Sequence, residues 1–131
     1  MSDGLGLLGL ALLAGKLAAG DKAVSEAVFE KRARLICTAA DAGARIQERA
    51  VRMPKRCNGM YTNTPFTRTE IGAALGMSDC GMIAFLDPGF AWAFSNKLAE
   101  IDEARYRALE EELRARRDRA ERRKAKKQSG K

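Results

Sequence analysis

The amino-acid sequence predicts an all-α protein, and three observations carry that expectation. Apolar residues recur at steps of three and four along most of the chain, which is the helical period. The composition has only three prolines and few aromatic residues. From Phe90 to Ser129 no proline or glycine interrupts the chain. The expected architecture is two long helices flanking a compact pair of short ones. An apolar arm over residues 1–20 precedes a helical domain over 21–113, and a basic helical tail over 114–131 follows it.

With 131 residues the chain is long enough for one domain with a modest core. A net charge of +7 and a pI near 9.7 favour an anionic partner such as nucleic acid or an acidic membrane face. The charge is unevenly placed. Residues 1–60 carry +4, residues 61–96 carry −2, residues 97–113 carry −3 and residues 114–131 carry +8. Cys37, Cys57 and Cys80 fit no zinc spacing, and the chain has no histidine. Reduced thiols and a cytoplasmic setting are expected.

Gly4 to Gly15, "GLGLLGLALLAG", is an apolar run. It is short against the roughly 20 residues that a spanning helix needs. Neither a positive start nor a small-residue cleavage site marks it as a signal peptide. It reads as an arm that docks on the core or on a partner subunit, with contact to a membrane as the sharper alternative.

Asp21 is placed to cap a long helix ending at Met53, before Pro54. Along it Phe29, Ile36, Ala39, Gly43, Ile46, Ala50 and Met53 form a heptad-like seam suited to a coiled coil. Arg32, Arg34, Arg45, Arg49 and Arg52 lie mostly off the seam and read as a solvated face. Residues 54–65 form a loop, with Asn58-Gly59 as its turn and Lys55 and Arg56 at its mouth.

Thr67 or Thr69 is placed to cap a short helix ending at Gly76, a residue suited to the left-handed conformation there. Ser78 or Asp79 is placed to cap a second helix carrying Met82, Phe85 and Leu86, ended by Asp87-Pro88-Gly89. Over residues 68–86 the small Gly72, the turn Gly76, and Ile71, Leu75, Met77, Met82 and Phe85 resemble the helix-turn-helix of phage repressors and bacterial regulators. That resemblance implies DNA binding, with the second helix in the major groove. Carried over by position, the reading surface is Ser78, Asp79, Cys80, Ile83, Ala84 and Asp87. Its acids face phosphates and its residue types lack the Arg, Lys, Asn and Gln of base readout. A packing or protein-binding role is therefore the competing reading.

After Pro88 the sequence predicts one helix of roughly 30 residues, the lower part striped by Phe94, Leu98, Ile101, Leu109 and Leu113. Trp92 reads as a core residue. Beyond Leu113 bases dominate. Arg114, Arg116, Arg117, Arg119, Arg122, Arg123, Lys124, Lys126 and Lys127, with Lys55, Arg56 and Arg68, are the candidate contacts to nucleic-acid backbone.

No histidine is available for acid–base work, no glycine loop cradles phosphate, and no Ser or Cys stands beside an evident base. A non-enzymatic protein with no cofactor or metal is expected. The reading is a small nucleic-acid-binding protein of bacterial or phage type, with homo-oligomerisation through its small-residue seams. The alternative is a structural assembly protein of a virion interior. Its residues 4–20 would touch membrane or a partner.

Overall fold

In the computed structural model, which describes residues 3–129, Leu35–Thr38 is a β-strand with no exposed surface at any of its residues. The all-α expectation is thereby overturned: the fold is α/β. Four strands, β1 (Leu17–Ala19), β2 (Leu35–Thr38), β3 (Met60–Asn63) and β4 (Met82–Phe85), form one mixed sheet in the order β1-β4-β2-β3. Leu35 stands opposite Phe85 of antiparallel β4 and Met60 of parallel β3, and Leu17 of β1 pairs Phe85 on its other side.

Among the described residues seven helices cover the sheet: α1 (Asp3–Leu13), α2 (Asp21–Phe29), α3 (Ala44–Arg52), α4 (Pro54–Cys57), α5 (Arg68–Leu75), α6 (Pro88–Ile101) and α7 (Glu103–Ser129). Strand alternation divides the core in two. Leu35, Cys37, Ile83 and Phe85 pack with Leu8, Ile71, Phe94, Leu98, Tyr106 and Leu113, so α1, α5, α6 and α7 cover one face. Ile36, Met82 and Ala84 pack with Val24, Val28, Ala50, Met53 and Cys57, so α2, α3 and α4 cover the other. A parallel β2–β3 pair needs a long crossover, and α3 and α4 supply it. Each large apolar side chain sealed in this way contributes about 1.5–3 kcal/mol.

The expected helix from Asp21 to Met53 is thus two helices with a strand between them. The heptad-like seam is a coincidence of spacing, since Ile36 sits in β2 and Ala39 just beyond it. With both sheet faces covered, "LICT" and "MIAF" are buried at every position and lack the alternation marking a half-buried strand.

The expected helix pair at 68–86 keeps only its first member. Thr67 accepts from the Glu70 amide at 3.1 Å while Glu70 accepts from the Thr67 amide at 2.9 Å, which closes a capping box. Gly76 ends α5 with φ 74. Residues 82–85, expected in the second helix, are β4. The small residue at Gly72 is still required. A Cβ there would lie 2.7 Å from the Asp79 Cα, so it is the returning loop that comes close, not a second helix.

The C-terminal helix starts where expected. Asp87 accepts from the Phe90 amide at 3.0 Å and Pro88 takes the first turn. It does not run straight. At Asp102 (φ −149, ψ 90) the chain leaves the helix and reverses, and the Asp102 carboxylate accepts from the Arg105 amide at 3.2 Å. α7 then returns along α6, bringing Glu110 to Trp92 and Leu113 to the groove that Pro88 also lines.

The apolar arm is α1 followed by β1. Leu8 and Ala11 are buried, while Leu10 and Leu13 on the outer side are exposed. Among the described residues no helix is long and apolar enough to cross a membrane. The three cysteines are free and buried.

Candidate nucleic-acid interface

β2 and β3 begin, and β4 ends, at one end of the sheet. Arg34 enters β2 there, held by its amide donating to the Phe85 carbonyl at 2.7 Å. Asn58 sits there too, in the left-handed conformation (φ 57) that closes α4 before β3. The α6–α7 hairpin delivers the basic helix to the same place.

What fixes α7 is a buried carboxylate. Glu110 has almost no exposed surface. It accepts from Arg114 at 2.7 and 2.9 Å, from the Trp92 indole at 2.8 Å and from Arg107 at 2.9 Å. These donors, Arg114 foremost, hold its pKa down at about 2 against the opposing effect of burial. The Arg117 guanidinium covers the Trp92 ring at 4.1 Å. Lower on the helix, Tyr106 donates to the Asn63 carbonyl at 3.1 Å and Arg105 to the Asn63 side chain at 3.0 Å, which fastens α7 to the edge strand β3.

From this clasp α7 runs past the sheet and forms one wall of an open groove of about 320 Å³. Arg116, Arg119 and Arg123 line one side, and Arg34, Asn58 and Pro88 the other. Arg116 spans it, donating to the Asn58 carbonyl at 2.8 Å and to Glu112 at 2.9 Å. Glu112 is drawn below the usual carboxylate range by Arg116. Arg34 and Arg123 have no acidic partner among the described residues.

The expected contact residues therefore separate. Arg114 and Arg117 serve the clasp, Arg117 also pairing Asp118 at 2.8 Å. Arg116, Arg119 and Arg123 face the groove. Arg122, Lys124, Lys126 and Lys127 are exposed on the projecting part of α7. Lys55 and Arg56 are exposed on α4, just ahead of Asn58. Arg68 is not brought to them. It lies at the opposite end of the sheet, 3.7 Å from Asp41 and 3.9 Å from Asp79. Sequence reasoning missed Arg34, which it placed on the solvated side of a helix. The signal for it was "KRAR" directly ahead of an apolar run, a basic cluster at a strand's entry.

A second basic groove, of about 510 Å³, opens between α2 and α3–α4, with Phe29, Lys31, Arg52 and Arg56 around it. Among the described residues no group of three or more Cys, Asp or Glu is placed to hold a metal ion.

No known protein family matches the sequence, and no curated protein matches it either. The fold recurs among solved structures. One, a protein with unknown function from Bacillus halodurans, is 24% identical with a TM-score of 0.68. The match covers 98% of that chain and 75% of this one. The likeness is one of fold, and about a quarter of the present chain extends beyond it.

Proposed function

We propose that the protein binds nucleic acid through its phosphate backbone, at the end of the sheet where α7 projects. The observation that carries this reading is the first groove. Arginines far apart in sequence, Arg34 on one wall and Arg116, Arg119 and Arg123 on the other, converge there, and two of them have no acidic partner. Uncompensated like charges repel one another, so their convergence is a cost that an anionic ligand removes. Arginine suits phosphate because its planar fork donates two parallel hydrogen bonds. The exposed bases of α7 extend the same field outward. They are held on a docked helix, so less freedom is lost on binding than with an unstructured tail.

The test is fluorescence anisotropy of a labelled duplex over a salt series. Affinity falls steeply with salt in the wild type, at roughly 0.9 log units per log unit of salt for each phosphate neutralised. Changing Arg34, Arg119 and Arg123 together to Ala reduces that slope by about 2–3 and weakens binding at low salt. Absence of binding, or an affinity indifferent to salt, would overturn the reading.

A further inference from the structure

The second groove has a chemistry that backbone binding does not use. α2 buries Val24, Ala27 and Val28. Phe29 follows one position on, roughly 100° around the helix, and is 86% exposed. An aromatic ring this open is costly in water. It lines the groove together with the buried Val28 and Met53. The chain turns away directly beneath it, with Lys31 in the left-handed conformation (φ 59).

The charged residues that line this groove are of one sign. Lys31, Arg52 and Arg56 have no acidic partner among the described residues. Of the acids on these elements, Glu30 is engaged by Arg32 at 2.8 Å and Asp21 by Arg49, while Glu26 and Glu48 are not among the residues that line the groove. The groove thus offers a flat aromatic face beside unpaired cations, which complements a ligand with a flat apolar face beside an anion. A nucleotide has that pairing: a base for the ring and a phosphate for the guanidinium groups. A duplex hides its base faces in its own stack, so it cannot use Phe29.

We infer that the groove between α2 and α3–α4 holds an unpaired base of a single-stranded nucleic acid, stacked on Phe29 with its phosphates on Lys31, Arg52 and Arg56. This rests on the nucleic-acid reading above and adds a preference for single strands. Arg56, which lines this groove, is two residues ahead of Asn58, which lines the first.

The experiment compares a labelled single strand, a duplex of the same length and a labelled polyglutamate, using the full chain. Phe29 is exposed, so Phe29→Ala leaves the thermal midpoint unchanged. It lowers single-strand affinity roughly ten-fold and leaves duplex affinity and its salt slope as they were. Phe29→Tyr restores single-strand affinity. If Phe29→Ala leaves single-strand binding intact, or weakens the duplex equally, the inference falls while backbone binding stands. If it weakens polyglutamate as much as the single strand, the occupant is an acidic peptide and the inference falls. If the wild type binds none of these probes, both readings fall together.

Discussion

At the scale of the residue, Glu110 shows how one side chain sets the position of a whole helix. A carboxylate taken out of water is stable only if its oxygens are filled, and Arg114, Trp92 and Arg107 fill them. Its pKa in the folded chain, about 2, lies below its ordinary value of 4.5. The stabilisation is therefore complete above pH 4.5 and is lost as pH falls toward 2. Glu110→Gln keeps the shape but supplies only one acceptor oxygen. It is expected to lower unfolding free energy by roughly 1–3 kcal/mol at neutral pH, with the gap from wild type closing in acid. Urea denaturation at neutral and acidic pH checks this, and a gap independent of pH would contradict it. The caps were legible in part: Thr67 and Gly76 bound α5 by local chemistry alone, whereas Asp21 lies inside α2 with Gly20 as its cap, Ser78 and Asp79 cap no helix, and Asp87, expected to end a helix, begins one. The partner of Glu110 was half legible. Arg114 is at i+4, but Trp92 comes near only because the chain reverses.

At the scale of the element, the failures share one cause. β2 and β4 are four residues long and buried on both faces, so neither length nor alternation distinguishes them from helix core. Ile36 and Ala39 happen to stand three apart, and that spacing joined a strand to the helix after it. The break at Asp102 was invisible because neither proline nor glycine makes it. The need to return Tyr106 and Leu113 to the core makes it, and that is a tertiary requirement. α7 itself divides into two parts. Up to Arg117 it is clasped. Beyond, it is mostly exposed, and its contacts are chiefly ion pairs on its own surface. Ending the chain after Arg117 is therefore expected to shift the thermal midpoint by no more than about 4 °C, while removing most salt-dependent affinity for nucleic acid. A much larger drop, measured by circular dichroism, would show that residues 118–129 belong to the folded core.

At the scale of the whole molecule, one sheet joins two cores and both must open for the centre to be reached. Cys37 lies in β2, one of the two inner strands, and burial pushes its thiol well above the usual range. Cys80 is raised for the same reason. Neither reacts while the fold is intact, because the thiolate is the nucleophile and both thiols are shielded. Labelling of Cys37 by a thiol reagent is expected to follow the rate of global unfolding. Rapid labelling under native conditions would mean that the sheet opens locally. The charge balance marked residues 114–131 as basic, but where those bases stand in the fold was not readable from sequence. Arg34 and Arg123 are neighbours across a groove only because β2 starts beneath the projecting helix.

The clasp has an optical consequence. Trp92 is the only tryptophan in the chain. Its indole nitrogen and its ring face are both occupied by groups on α7. The protein's intrinsic emission is therefore a single-site reporter of whether that helix is seated. Any ligand that lifts the helix announces itself as a change in colour and intensity, with no added dye.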